Sequence, residues 1–254
     1  MISIIILGSG NVAKHLFDTF LGQNEINILQ VIGRNKDHLS YFKSKVEVSN
    51  DFNTIQDADL YLIAVSDDAI PEVAKTLRGK KGIVAHCSGS VPLKALDPIN
   101  RRAVFYPLQS FSAGKKIDFK SVPICIEAEN KNDLNLLEQL GNSISNNVQE
   151  VSSEQRKSLH LAAVFVNNFT NHLFHIGHEI CEDNDLPFHI LLPLIKETVK
   201  KLDYITPLNA QTGPARRNDR STIENHLNQL KTKNNKDIYT LLSKSISEKY
   251  RNEL

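Results

Sequence analysis

Two sets of residues in this chain have the types and spacings that chemistry needs. The first is Gly8-Ser9-Gly10-Asn11-Val12-Ala13, a G-x-G-x-x-A turn that directly follows the apolar run Ile2–Leu7. In such a turn Gly8 can take φ > 0 and Gly10 lets backbone N–H groups approach a pyrophosphate. Ala13 lets the next helix close on the strand, and the phosphates lie at its positive end. The second set lies far along the chain. His160, Asn168, Asn171 and His175 recur at near multiples of 3.6 residues, so they share one broad face of a helix otherwise set for burial. His160 can shuttle a proton there and Asn168 can orient a substrate oxygen. A satisfied core histidine and an interhelical hydrogen bond are the plainer roles for the same residues.

The glycine turn asks for a dinucleotide, and the next strand says which. Asn27–Ile32 ends at Gly33-Arg34-Asn35-Lys36, and no acid lies between Glu25 and Asp37. A carboxylate at that strand end would bind a ribose 2′-OH and repel a 2′-phosphate, whereas the Arg34 guanidinium binds a phosphate with a planar fork. The pattern favours NADP over NAD, with a solvated basic turn as the bland alternative.

Ligands of open parallel sheets lie beyond the carboxyl ends of the strands. Three such ends are polar here: Ser66-Asp67-Asp68, His86-Cys87-Ser88-Gly89 and Tyr106-Pro-Leu-Gln-Ser-Phe111. Val65 and Ser66 suit the stretch of cofactor between adenosine and nicotinamide. His86 belongs to the wall of the nicotinamide pocket, where Ser88 and Gly89 offer a hydroxyl and backbone N–H groups, although a simple turn would read the same. Gln109, in the third segment, is placed with Gly89 as a substrate contact. Cys87 reads as an inert buried thiol in preference to a nucleophile. Gly213–Asp219, with Arg216 and Arg217, makes an anion clamp that suits an anionic substrate, or else Asp219 merely caps the next helix. His172, His175 and His178 are spaced by three, but no carboxylate or cysteine completes a ligand set, so no metal is expected.

The elements that must position these groups alternate at first. Strands are expected at Ile2–Leu7, Asn27–Ile32, Val46–Val48, Asp59–Val65, Gly82–His86, Arg102–Tyr106 and Val122–Glu127. Helices fall at Lys14–Phe20, Lys36–Lys45, Ala69–Leu77 and Leu134–Ile144, with one turn at Val91–Leu96. This is the pattern of a doubly wound, mostly parallel sheet. From about Val151 everything reads as helix. Ser153–Cys181 forms one long helix with the apolar stripe Leu159, Ala162, Ala163, Val166, Phe169, Leu173 and Ile176. Leu186–Tyr204 follows, kinked or divided at Pro193, then turns at Thr206–Asn218 and helices at Ser221–Leu230 and Lys236–Tyr250. Two domains are expected, 1–150 for the nucleotide and 151–254 for substrate and dimerisation.

A chain of 254 residues with a net charge of +1 gives no reason to expect nucleic acid or an anionic membrane as a partner. It has no apolar run near the roughly 20 residues of a membrane span. Its first apolar run is too short for a leader and serves as strand one. Cys87, Cys125 and Cys181 are few, odd in number and widely spaced, which fits a reducing cytoplasm.

Taken in order, Gly8–Ala13, Ala64–Asp68, His86–Gly89, Tyr106–Phe111, His160–Ala163 with Asn168, Thr212–Asp219 and His226-Leu227 resemble the Rossmann-like NADP oxidoreductases whose C-terminal half is a domain of unknown function. The wider group is similar to pyrroline-5-carboxylate reductase, ketopantoate reductase and deazaflavin-dependent NADP oxidoreductases. The resemblance implies an NADP-binding Rossmann domain, a helical domain like that of 6-phosphogluconate dehydrogenase, a cleft between them and a homodimer built on the helices. It points to Ser88, Gly89, His160, Asn168, Arg217 and Asp219 as cleft residues. One departure is plain: β-hydroxyacid dehydrogenase relatives place a catalytic lysine on the first long helix, whereas here His160 stands eight residues before Asn168. The expectation is hydride transfer between NADPH and a small carbonyl or imine, with His160 as proton donor and Asn168 and Ser88 beside it. The competing expectation is a non-catalytic NADP-binding redox sensor or interaction protein.

Overall fold

The computed structural model describes residues 1–251. Eight strands form one sheet: β1 (Ile2–Leu7), β2 (Ile26–Ile32), β3 (Glu47–Ser49), β4 (Leu60–Ile63), β5 (Ile83–His86), β6 (Arg102–Pro107), β7 (Ile124–Ala128) and β8 (Val148–Glu150). Their order is β3-β2-β1-β4-β5-β6-β7-β8, and every pair is parallel except β6 with β7. The doubly wound, mostly parallel sheet is therefore present, with β7 reversed. β8 has no counterpart in the sequence reading, because Val148-Gln149-Glu150 is too short to show a period.

Strand alternation divides the core in two. Ile4, Ile6, Leu60, Leu62, Ile83 and Ala85 face one side, against Leu16, Phe17 and Phe20 of α1 (Asn11–Leu21). Ile5, Leu7, Tyr61, Ile63 and Val84 face the other, against Ile70, Val73 and Ala74 of a short helix further along the chain. Both faces are covered, so these strands read as continuous apolar runs.

The helices of this half are α1, α2 (Lys36–Leu39), α3 (Ile70–Lys75), α4 (Lys131–Ile144) and α5 (Ser153–Ala163). The helix expected over Lys36–Lys45 stops after four residues. Ser40 Oγ donates to the Asp37 carbonyl at 2.6 Å, a local bond that competes with the helix ladder. α5 opens on a capping box, with Ser152 Oγ accepting from the Gln155 N–H and Gln155 Oε1 accepting from the Ser152 N–H.

The remaining helices are α6 (Thr170–Glu182), α7 (Leu192–Lys200), α8 (Pro207–Ala210), α9 (Arg220–Gln229) and α10 (Lys233–Tyr250). The long helix from Ser153 does run to the end of α6, but through a π segment at Val164–Phe169. Pro193 divides the second helix. It sits in the first turn of α7, where its missing N–H costs nothing, and Phe188–Leu191 before it is a 3-10 turn.

The chain divides into two compact units, Met1–Val164 and Phe165–Leu254. The first takes α5 along with the sheet, whereas the sequence reading starts the helical half at 151. Within the second unit, the loop before α9 is tied to α10. Ser247 Oγ donates to the Ala215 carbonyl at 2.9 Å, and the Arg216 guanidinium lies 5.0 Å from the Tyr250 ring centre. Among the described residues, this unit buries only Cys181, Ala215 and Tyr250 of its apolar side chains. No described helix is long and apolar enough to cross a membrane.

Candidate functional site

The glycine turn between β1 and α1 has the geometry that its sequence demands. Gly8 has φ +138°, and a Cβ there would lie 2.1 Å from the Ala64 carbonyl oxygen of the neighbouring strand end, so no other residue fits. At Gly10 a Cβ would meet nothing within 4 Å, which leaves open space above the turn. Gly10 caps α1 without a side-chain hydrogen bond, and no acid sits in the first turn. The first N–H groups and the positive helix end therefore face that space unopposed.

The space belongs to a cavity of about 520 Å³ lined entirely by the first unit. Gly8, Ser9, Gly10, Asn11 and Val12 form one stretch of wall. Arg34 borders the cavity after β2, Val65 and Ser66 after β4, and Ser88 and Gly89 after β5, while Gln109 and His160 complete it. The expected residues on either side of a dinucleotide thus share one cavity. Arg34 is exposed and has no ion-pair or hydrogen-bond partner among the described residues. Asn35 beside it is engaged, its Oδ1 accepting from the N–H groups of Asp37 and His38 as the cap of α2. An open, donor-rich helix end at one place and an unpaired guanidinium at another fit a dinucleotide with an extra phosphate.

His86 is a correction. The ring is wholly buried at the end of β5 and does not line the cavity; its neighbours Cys87, Ser88 and Gly89 do. Its Nδ1 accepts from the Ser88 N–H at 3.2 Å, while its Nε2 meets no partner at hydrogen-bond geometry among the described residues. Burial first, then the nearby Arg156 charge, pushes the imidazole down to about 3, so it is neutral. The His86 ring thus holds the loop from the core side and stands outside the cavity wall. Burial also pushes the Cys87 thiol up to about 12, which leaves no thiolate for nucleophilic chemistry.

Ser88 lines the cavity, yet its hydroxyl oxygen accepts from the N–H groups of Ser90 and Val91, both at 3.1 Å. That is the turn-closing role, and it competes with the catalytic one expected of Ser88. The loop is clamped from behind by Arg156 of α5, 1% exposed, a residue absent from the sequence reading. Its Nε donates to the Ser88 carbonyl at 3.2 Å and its Nη2 to the Val91 carbonyl at 2.6 Å, while Nη1 pairs with Glu127. Only its place one turn before His160 on the same helix face hinted at this.

His160 meets Tyr106, the other residue that sequence reasoning left out of the site. Tyr106 Oη lies 3.3 Å from His160 Nδ1, and both side chains line the cavity. Gly89 makes this meeting possible. A Cβ there would stand 2.7 Å from both His160 Nδ1 and Tyr106 Cζ. Burial holds the Tyr106 phenol above its ordinary range, so it stays a hydrogen-bond donor at neutral pH. Its signal in the sequence was its position at the end of β6, on the same sheet edge as Ser88.

Asn168, Arg217 and Asp219 belong to the second unit. Asn168 is exposed in the π segment, and Arg217 is exposed before α9. Asp219 is the cap of α9, its Oδ1 accepting from the Thr222 N–H at 3.1 Å. The Thr222 hydroxyl and N–H, with Arg217 a lesser cause, hold the Asp219 carboxyl below its ordinary range. The capping role left open by the sequence is thus the one observed. His175 and His178 pair along α6 with Glu179 and Glu182, and no metal-holding group assembles among the described residues.

Comparison with known proteins agrees with this geometry. Residues 3–86 match the family described as NADP oxidoreductase coenzyme F420-dependent, and residues 122–246 match a domain of unknown function, DUF2520. A Bacteroides fragilis protein assigned as an NADP oxidoreductase is 36% identical, with a TM-score of 0.90, covering 97% of this chain and 98% of its own. A pyrroline-5-carboxylate reductase from Coxiella burnetii shares the fold at 19% identity and a TM-score of 0.58, covering 99% of this chain and 98% of its own. An Aspergillus terreus reductive aminase, solved with NADPH and ethyl levulinate, shares it at 13% identity and a TM-score of 0.71, covering 99% and 94%. No curated protein matches the sequence. With a relative so similar over its whole length, this chain belongs to the family of NADP oxidoreductases that join a Rossmann domain to this C-terminal domain, and the family's dinucleotide is NADP.

Proposed function

We propose that the protein is a reductase that moves hydride from NADPH to a small carbonyl or imine. The observation that carries this is the single cavity in which the open end of α1, Arg34 and the Tyr106–His160 pair meet. The N–H groups at Gly10–Val12 hold the pyrophosphate, and Arg34 holds the 2′-phosphate. NADPH supplies the hydride when bound. His160 gives a proton to the oxygen or nitrogen that receives the electron pair, and Gly89 and Gln109 border the substrate. Asn168, Arg217 and Asp219 are second-unit residues, and Arg217 is the one suited to an anionic substrate group.

The chain works as a cytoplasmic homodimer joined through its helical unit. Val166 is 75% exposed, Leu194 64% and Leu241 68%, together with Phe165, Phe169, Val199 and Tyr204. Exposed large apolar side chains gathered on one unit are the kind of surface that binds another molecule. A second copy of the same surface is the occupant that a nearly neutral chain accommodates without charge repulsion.

The test is titration with NADPH and NADH at one ionic strength, on wild type and on Arg34→Ala. Wild type should bind NADPH much the more tightly, and Arg34→Ala should weaken NADPH about tenfold while sparing NADH, as loss of one charged hydrogen-bonding group predicts. Binding of neither nucleotide sinks the reductase reading. In turnover with an aldehyde and a cyclic imine, His160→Ala should bind NADPH normally and oxidise it slowly; unchanged turnover removes His160 from the mechanism.

A further inference from the structure

The contact between Tyr106 and His160 has a direction, and the direction decides what His160 can do. A neutral imidazole carries one N–H and one bare nitrogen, and its hydrogen bonds choose which is which. The Tyr106 hydroxyl has His160 Nδ1 as its one hydrogen-bond partner among the described residues, at 3.3 Å. Were Nδ1–H to donate, the phenol proton would be left half-buried without a protein acceptor, at a cost of a lost hydrogen bond. With the phenol donating, both groups are matched. The proton of the ring then stands on Nε2, which has no hydrogen-bond partner among the described residues, in a residue that lines the cavity.

The surroundings hold the pair in this arrangement. Tyr106 is registered opposite Cys125 in the β6–β7 ladder, so its backbone cannot drift. Gly89 lies against the phenol and the imidazole together, with no room for even a methyl group. One turn before His160, the Arg156 clamp fixes α5 to the loop that carries Gly89. The raised pKa of Tyr106 keeps the phenol protonated through the range in which enzymes of this kind operate.

We infer that Tyr106 is a positioning residue: its hydroxyl donates to His160 Nδ1, holds the ring as the Nε2–H tautomer, and presents that N–H to the cavity as the donor to a carbonyl oxygen or imine nitrogen. The step that this serves rests on the reductase reading. As the carbon takes up hydride, the oxygen or nitrogen gains the electron pair of the broken double bond and takes the Nε2 proton. Nδ1 draws on the phenol as Nε2 gives up its proton, so charge does not build on the ring, and solvent protons restore the phenol afterwards. Tyr106 itself touches neither hydride nor substrate in this scheme.

The experiment has two arms. The first needs no substrate: long-range ¹⁵N–¹H correlation of the imidazole nitrogens in the full chain, wild type against Tyr106→Phe. Wild-type His160 should show a protonated Nε2 and an acceptor Nδ1, and Tyr106→Phe should give a mixture of tautomers. His226, whose Nδ1 lies 2.8 Å from Tyr239 Oη on α9 and α10, is the internal reference and should not change. A protonated Nδ1 in wild type, or the same His160 spectrum in both proteins, overturns the assignment whatever the activity. The second arm measures NADPH oxidation with 2-methyl-1-pyrroline and with propionaldehyde. Tyr106→Phe should lower kcat about tenfold, a part of the usual worth of a general acid, with NADPH affinity unchanged. Added to His160→Ala it should cost nothing more, whereas two independent losses would multiply and overturn the coupling. If wild type turns over neither probe, the reductase reading fails for these substrates while the spectra still decide the role of Tyr106.

Discussion

The two units of this chain solve burial in opposite ways. In the sheet unit, alternate residues of β1, β4 and β5 are sent to two cores, and each core is roofed by a helix from the same chain. In the helical unit, the apolar stripe that the sequence shows on the long helix stays largely uncovered: Val166, Phe169 and Leu173 are all exposed. All the exposed large apolar side chains except Met1, Leu21, Tyr41 and Leu161 lie past Val164. The first unit therefore holds covered cores and a cavity of its own, while the second leaves most of its large apolar side chains exposed.

Polar groups follow the same division, and here the largest effect is expected. Arg156 is buried and pairs with the half-buried Glu127 beneath the Ser88–Val91 loop, and Arg156→Met would leave that carboxylate only its Ser153 hydrogen bonds and strip the Ser88 and Val91 carbonyls of their guanidinium donor. Breaking such a pair costs about 3–5 kcal/mol. For a chain of this size that is roughly a 10 °C fall in Tm by calorimetry. In the helical unit, Glu179→Gln removes an exposed partner of His175 and should stay within about 0.5 kcal/mol of wild type. If the two variants melted alike, the contrast between a clamped site and a solvated surface would be wrong.

The next effect sharpens the contrast from the other side. If the helical surface is covered by a second copy, wild type should sediment as a dimer at micromolar concentration. Its Tm should also rise with protein concentration, because association stabilises only the folded form. A carboxylate placed among the exposed apolar side chains, Leu194→Asp or Val166→Asp, should raise the dimer dissociation constant by about 100-fold, equivalent to about 2.7 kcal/mol. A wild type that sediments as a monomer at every concentration tested would leave the exposed stripe with another explanation.

How much of this was legible in the sequence also follows the division. Strands buried on both faces write themselves as apolar runs, so the sheet, the glycine turn and the missing acid near Arg34 were all readable. Short-range cues placed α1, α4 and the start of α5. What escaped was set by contacts distant in sequence. Tyr106 earns its role only because β6 ends opposite Gly89 and α5, and Arg156 only because its helix lies over the β5 loop. His86 looked like a pocket residue because it ends a strand, yet the side chain points into the core and its neighbours line the cavity. Pro193 was readable as a break but not as a helix start, a choice made by the 3-10 turn before it.

The smallest effect concerns that buried histidine. Folding holds His86 at about 3, against 6.5 for a free imidazole, chiefly through burial, with Arg156 adding to the shift and Asp67 opposing it. The sign follows directly. Above pH 6.5 both folded and unfolded chains carry the neutral ring, and its contribution to stability is complete. Below 6.5 the unfolded chain takes up a proton that the folded chain refuses, so stability falls until the pH reaches about 3. The slope approaches about 1.4 kcal/mol per pH unit, or about 2 kcal/mol between pH 6.5 and pH 5. His86→Asn keeps an acceptor for the Ser88 N–H and removes the titration. That variant should be less stable than wild type at pH 8 because its smaller side chain packs less well. Between pH 7 and pH 5, however, urea unfolding should show a flatter dependence than wild type, and the two curves should converge. Parallel curves over that interval would mean that His86 is protonated in the folded chain after all, and that the loop carrying Ser88 and Gly89 rests on a charged residue.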